Sequence, residues 1–417
     1  MKFKIVTLGC KVNAYESTVI KEKMLKEGFI ESDSNVDVVI VNTCSVTNVA
    51  DSKCLKMVRR LKREEPNAIF VVCGCSVQND KTKYENLDLD VILGNTNKSK
   101  IVDLVKEEIK NKHIIDDVKK DMQHEEFETM EIDKFSNIRA FIKIQDGCNN
   151  YCSYCIIPYL RGNLRCKDYD EVINESKNLV KNGHKEIVLT GIHTGSYKSN
   201  GKDIVDVIWG LSEIDGLERI RLSSIEITEI NNDKFYDLLK RCDKLCNHLH
   251  IPLQAGSNEI LKRMNRKYDL DYYFNVIEKI RSIRPDISIS TDVIVGHPYE
   301  TEELFNTTID TCKKVKFSKI HVFPYSKREG TVASKMPEQV REEDKKIRSN
   351  KLIQVSTELE KEYFDMFIGK KLGVLIEEEK NGKYIGHTSN MLKLCMDEQY
   401  NINEIYDVVI KGEFYDA

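Results

Sequence analysis

From Phe3 to Phe323 the chain alternates short, β-branched apolar runs with amphipathic helical stretches, and that alternation admits few folds. A strand joined to the next by a helix can only return parallel to the first, by a right-handed crossover. In residues 1–113, runs at Phe3–Leu8, Val36–Asn42 and Ala68–Val72 precede helical patterns around Ala14–Lys26, Val49–Lys62 and Lys100–Lys110. They predict a parallel sheet with helices on its faces. A longer round begins at Ile138, with strands expected at Ala140–Gln145, Glu186–Thr190, Arg219–Ser223, His248–Pro252, Ser288–Val295 and Lys319–Phe323. Helices such as Tyr169–Lys181 and Asp269–Arg284 fit between them. Six such repeats predict a full or partial β/α barrel.

The remaining segments complete an α/β architecture of three domains, as expected of 417 residues, more than one core holds. Ile114–Lys134 is charged and reads as a linker or connecting ribbon. Residues 134–365 take in the barrel and a trailing amphipathic helix expected over Arg341–Phe367. Residues 366–417 carry short apolar alternations at Leu372–Glu377, Tyr384–Gly386, Met391–Leu394 and Tyr406–Lys411, which predict a small all-β barrel or sandwich.

Lys and Arg number 64 against 68 Asp and Glu, so no global basic field draws in nucleic acid, and only local patches remain. No apolar run reaches membrane-spanning length, and the opening apolar stretch is too short for a signal peptide. A cytoplasmic location without membrane contact is expected. There 13 cysteines are not a disulfide framework, which turns attention to metal or catalytic use.

Cys148, Cys152 and Cys155 form a C-x3-C-x2-C triplet, a spacing that chance would produce about once in a hundred chains of this cysteine content. The triplet follows a predicted strand through Gly147, at the end of a β/α barrel where enzyme chemistry sits. Three thiolates can hold three irons of a cubane and leave the fourth open for a ligand. The competing reading is a structural zinc site, which wants a fourth ligand, Cys166 being the nearest. Cys10, Cys44 and Cys75 each follow a strand of the first domain, so parallel topology brings them to one sheet edge as a second metal site. Cys73, two residues from Cys75, is assigned to the core.

With Tyr154 before its last cysteine, the triplet resembles the signature of radical S-adenosylmethionine enzymes. Both cysteine sets together, in this domain order, resemble the methylthiotransferases of that superfamily. The resemblance implies an auxiliary 4Fe–4S cluster on Cys10, Cys44 and Cys75 and a radical 4Fe–4S cluster on Cys148, Cys152 and Cys155. It also implies S-adenosyl-L-methionine as cofactor, a C-terminal RNA-binding domain of the TRAM type, and an electron donor such as flavodoxin or ferredoxin. Leu8–Ser17, Lys143–Tyr159, Arg221–Glu226, His250–Ser257 and Phe323–Arg328 resemble the bacterial branch that acts on threonylcarbamoyl-adenosine in tRNA. The alternatives are isopentenyl-adenosine in tRNA, an aspartate of a ribosomal protein, or a zinc-stabilised RNA-binding protein that is no enzyme.

The resemblance places Tyr154 and the loop holding Gly191 near S-adenosylmethionine, and Ser224, Glu226 and Gln254 at strand ends are candidates for its ribose or carboxylate. His193, His248 and His250 read as loop or core histidines. The segment Val295–Thr301 departs from the family pattern: His297 reads as a packing replacement for an aromatic ring. Tyr299 in place of glycine means that the turn does without positive φ or carries strain. Residues 139–167 hold five basic residues against one acid and residues 261–284 seven against three, which predicts a basic rim for a tRNA anticodon stem-loop. Residues 369–417 have six lysines against nine acids, so RNA contact there falls to aromatics such as Tyr384.

Overall fold

A computed structural model describes residues 1–111, 115–119, 121–135 and 137–412. Residues 112 and 113 of the expected first domain, Ile114 and Lys120 of the expected linker, and the last five residues of the expected all-β unit lie outside the described residues.

The first domain is a six-stranded, wholly parallel sheet in the order Ile30–Glu31, Lys2–Thr7, Val38–Thr43, Ile69–Gly74, Val91–Leu93 and Ile115–Asp117. Val38–Thr43 is buried at every residue, as a central parallel strand covered on both faces must be. The helices Lys11–Lys26, Asn48–Glu64 and Ile101–Asn111 supply that cover. Thr47 caps the second by accepting a 3.1 Å bond from the Ala50 amide. Ile115–Asp117, expected in the linker, instead forms the sheet's last strand.

The second domain sets six parallel strands side by side in sequence order. Arg139–Lys143, Glu186–Thr190 and Arg219–Leu222 form one three-stranded sheet, and His248–His250, Ser288–Val295 and Lys319–Pro324 another. Isolated parallel bridges, Ile220 to Leu245 and Ser224 to His250, stitch the halves together. Among the described residues the two outermost strands do not pair, so the barrel is partial. The helix Glu342–Asp365 lies along its open edge strand, where Ser356 Oγ accepts from the Ile320 amide (3.0 Å) and donates to its carbonyl (3.1 Å).

The C-terminal unit is a four-stranded antiparallel sheet built from Lys371–Lys380, Lys383–Thr388, Lys393–Met396 and Ile405–Val409. It packs on Tyr363, Phe364 and Phe367 at the end of the long helix. Arg219 and Arg221 reach out of the barrel strands to donate to its Gly373, His387 and Ser389 carbonyls at 2.7–3.0 Å. Among the described residues no helix is long and apolar enough to cross a membrane, and all 13 cysteines are free.

Candidate functional site

Three neighbouring strands of the first domain end in cysteine turns. Cys10 precedes the helix Lys11–Lys26, Cys44 follows Val38–Thr43, and Cys75 opens a short helix directly after Ile69–Gly74. Because the strands are adjacent and parallel, the three turns share one edge. Two glycines let them close together. A Cβ on Gly9 (φ +105°) would stand 2.5 Å from the Cys44 Cβ, and one on Gly74 (φ +103°) 2.5 Å from the Thr43 carbonyl oxygen. Asn13 ties the turns by donating to the Leu8 and Thr43 carbonyls at 2.8 and 2.9 Å. Cys73 is fully buried in the core, and it parts from Cys75 because the strand ends at Gly74 and Cys75 opens a helix, since strand alternation alone would put residues two apart on one face.

The second cysteine loop is shaped in the same way. Gly147 (φ +70°) and Gly162 (φ +74°) press against the Asn163 and Met122 carbonyl oxygens, where a Cβ would approach to 2.0 and 1.8 Å. The Cys148 amide bonds to the Gly162 carbonyl (3.1 Å), the Cys155 amide to Cys152 (3.0 Å) and the Ser153 amide to Met264 (3.0 Å). Arg266 Nη1 lies 3.4 Å from Cys152 Sγ, and its Nη2 pairs with Glu226. Tyr154 stands beside Cys152, Cys155, Arg266 and Glu226.

The two loops meet. Cys75 packs against Ile156 and Leu160, just past Cys155. Arg161, wholly buried, donates from Nε to Cys75 Sγ (3.3 Å), from Nη2 to Asn13 (2.9 Å) and from Nη1 to Asp146 (3.1 Å) and Glu16 (3.3 Å). Lys98 reaches Glu16 at 2.5 Å, Lys143 reaches both carboxylates at 3.2 and 3.4 Å, and Arg165 reaches Asp146 at 3.5 Å. Burial alone would push Glu16 upward, but Lys98, Arg161 and Lys143 outweigh it and hold the carboxyl well below its usual range.

Four cations thus face two carboxylates in a buried network, and excess buried charge is costly unless an anion answers it. Thiolates at Cys10, Cys44 and Cys75 would supply that anion. Burial pushes the Cys44 and Cys155 thiols up to about 12, so deprotonation there calls for a metal. Among the described residues no three His, Cys, Asp or Glu side chains are placed to hold one common metal ion. In a cubane each thiolate holds its own iron, and thiols in sets of three are donors of the kind that such a group takes.

The other predicted positions divide by environment. Gly191 lies against Gln145, whose Oε1 would be 2.9 Å from an added Cβ and accepts from the His193 amide at 2.6 Å. Ser224 is exposed beside His250, Glu226 is ion-paired to Arg266, and Gln254 adopts φ +64° while bonding to Asp292 and Ile294 across the strand. His193 contacts Glu229 at 2.7 Å. His297 is fully buried with its ring 5.6 Å from Tyr325, and burial pushes its pKa down to about 4, so it packs as a neutral ring. Tyr299 does take φ +69°, and the Arg263 guanidinium stacks on its ring at 3.8 Å.

One expectation is corrected. The basic residues of 139–167 form no exposed rim: Lys143, Arg161 and Lys167 are buried, and Arg139 pairs with Glu377 at 3.1 Å. Formal charge along a sequence cannot distinguish a phosphate contact from a buried ion pair. The same blindness hid Arg161 and Arg266, whose roles beside the cysteines appear only in three dimensions.

The sequence model of the Radical SAM superfamily matches residues 142–312, and that described as "Uncharacterized protein family UPF0004" matches residues 2–94. The threonylcarbamoyladenosine tRNA methylthiotransferase MtaB of Bacillus subtilis (strain 168) is 40% identical over 403 residues, covering 93% of this chain and 88% of that protein. MtaB of Thermotoga maritima is 37% identical, covering 90% and 86%. The tRNA-2-methylthio-N(6)-dimethylallyladenosine synthase of Acetivibrio thermocellus is 38% identical, covering 89% and 79%. Among solved structures, the radical S-adenosylmethionine methyltransferase TsrM from Kitasatospora setae shares the fold, with a TM-score of 0.57 over 78% of this chain and 74% of that one at 12% identity. Two matched domains in order, and near full-length relatives, assign the chain: it belongs to the radical S-adenosylmethionine methylthiotransferase family of enzymes, which use a 4Fe–4S cluster and S-adenosylmethionine.

Proposed function

We propose that this enzyme converts N6-threonylcarbamoyl-adenosine beside the anticodon of tRNA to its 2-methylthio derivative. The observation that carries the reading is the 40% identity to the B. subtilis MtaB protein along 93% of the chain. Relatives named for dimethylallyl-adenosine at 38% make that substrate the second reading. The radical cluster is assigned to Cys148, Cys152 and Cys155 and an auxiliary 4Fe–4S cluster to Cys10, Cys44 and Cys75. Electrons come from a small carrier such as flavodoxin or ferredoxin.

The bound groups supply a hydrogen-abstracting radical, a methyl group and sulfur; the chain positions and shields them. Arg266 donates to Cys152 and is itself fixed by Glu226 at the strand end. Gly191 keeps the strand end clear of side-chain bulk, with Gln145 bracing the loop behind it. Arg161 compensates charge at Cys75 and anchors the auxiliary loop to the radical loop. Ile156 and Leu160, packed against Cys75, close the space between the loops against water.

Cysteine replacements test the division of roles. Cys148→Ala is expected to abolish reductive cleavage of S-adenosylmethionine. Cys44→Ala is expected to keep that cleavage, lose about half the iron and sulfide, and lose sulfur insertion. Loss of cleavage alone in both variants would overturn the assignment.

A further inference from the structure

The inside of the partial barrel is polar where an open β/α barrel is ordinarily filled with branched apolar side chains. On strand His248–His250, Ser290 Oγ from the next strand is shared between His248 Nε2 and His250 Nδ1, each at 2.9 Å. His250 Nε2 then contacts Asp292 at 3.2 Å, and the His250 ring lies 5.6 Å from His321 on the third strand. Ser290, Asp292 and His321 share one face, since Asp292 is paired with His321 and side chains two apart point the same way. The group is reachable: His321 is exposed and the Asp292 side chain keeps 27% of its surface.

Two features of this group are open to a ligand. His248 is buried, and its Nδ1 has no hydrogen-bond partner among the described residues. Lys11, arriving from the first domain, lies in the field of Asp292, His248 and His321 but makes no hydrogen bond or ion pair with any described residue. The other cations near it are taken. Arg221 is held by Glu186 at 2.7 Å and Arg139 by Glu377 at 3.1 Å, while Asp292 is engaged by His250. Among these described cations Lys11 is the one without a direct counter-ion, in the field of a cluster offering both donors and an acceptor.

We propose that Lys11, His248, Asp292 and His321 form the subsite for the polar amino-acid group carried by the substrate adenine, a carboxylate-, hydroxyl- and ureido-bearing chain. Lys11 and His321 take the carboxylate, and Asp292 accepts a hydrogen from the ureido or hydroxyl group. This rests on the substrate reading above and deepens it. An isopentenyl group has neither a charge for Lys11 nor a donor for Asp292, so it would cover Lys11 without supplying a counter-ion and leave Asp292 with its His250 contact. The cluster therefore selects between two tRNA substrates that sequence identity of 40% and 38% barely separates.

The test uses the reconstituted full-length holoenzyme and three anticodon stem-loops of one sequence, bearing threonylcarbamoyl-adenosine, isopentenyl-adenosine or unmodified adenosine. Equilibrium binding is measured by fluorescence anisotropy with wild type, Lys11→Met, Asp292→Asn and His321→Leu, after matching iron and sulfide content. Each variant is expected to weaken binding of the threonylcarbamoyl loop by about tenfold or more, the worth of one charge-assisted hydrogen bond, and to leave the unmodified loop within about twofold. Equal weakening of all three loops, or none, would overturn the subsite. Wild type that prefers and methylthiolates the isopentenyl loop would instead overturn the substrate reading. Because three positions on three elements are tested, misfolding of one variant leaves the other two to decide.

Discussion

Removing the Arg161 side chain tests the claim that the two cysteine loops are held together electrostatically. Arg161→Leu deletes contacts to Asp146, Glu16, Asn13 and Cys75 at once. Neither carboxylate is orphaned, since Glu16 keeps Lys98 at 2.5 Å and Lys143 at 3.2 Å, and Asp146 keeps Lys143 at 3.4 Å and Arg165 at 3.5 Å. The cost therefore belongs at the low end for a broken buried pair, about 3 kcal/mol. At a urea slope of about 2 kcal/mol/M the transition that separates the first domain from the barrel moves down by about 1.5 M at pH 7. The pH dependence fixes the cause. Glu16 and Asp146 are both held below their usual range, so their pairing stabilises the fold above pH 4 to 5 and is lost as pH falls. The gap between wild type and variant should be constant from pH 7 to 5 and shrink below pH 4. A variant as stable as wild type, or a gap indifferent to pH, refutes the pairing account.

Other substitutions probe single contacts. Gly162→Ala, which must place a Cβ about where the Met122 carbonyl oxygen stands at φ +74°, is expected to cost about 3 kcal/mol and to yield protein poor in iron by elemental analysis. Arg266→Met removes the donor 3.4 Å from Cys152 and should lower the reduction potential of the radical cluster in an EPR-monitored titration while the iron content holds. His297→Phe should keep turnover within about threefold, since the ring packs neutral and the substitution removes two hydrogen bonds, Nε2 with Ser153 Oγ (3.2 Å) and Nδ1 with the Pro298 carbonyl (3.0 Å), each worth about 1 kcal/mol of stability. Because burial lowers the His297 pKa to about 4, wild type loses stability as pH falls from 6.5 towards 4, and the Phe variant should lose less over that window in thermal melts.

Periodicity served the fold well in the longer elements. Glu186–Thr190, Ser288–Val295 and the helix Tyr169–Lys181 stand where the pattern put them. Short edge strands were illegible: Ile30–Glu31 and Ile115–Asp117 are too brief to show alternation and owe their state to a neighbour's backbone. Cysteine placement was readable because parallel topology converts strand ends into neighbours, so residues some thirty positions apart meet at one edge. Charge was not readable in that way. Arg161 and Lys143 looked like RNA-facing cations and proved to be buried partners of Glu16, while Lys11, an exposed residue beside a cysteine, lies in the field of Asp292 on a barrel strand. Tyr299 sits at a left-handed φ that its residue type argues against, and only the Arg263 stack on its ring shows why it is tolerated.

The central claim is the reaction itself. Nucleoside mass spectrometry of tRNA from cells lacking methylthiotransferases, with and without this protein expressed, tests it most directly. The account predicts that 2-methylthio-N6-threonylcarbamoyl-adenosine appears only with the protein, and that Cys148→Ala and Cys44→Ala each abolish it. Unchanged nucleosides in the presence of cluster-replete protein would contradict it.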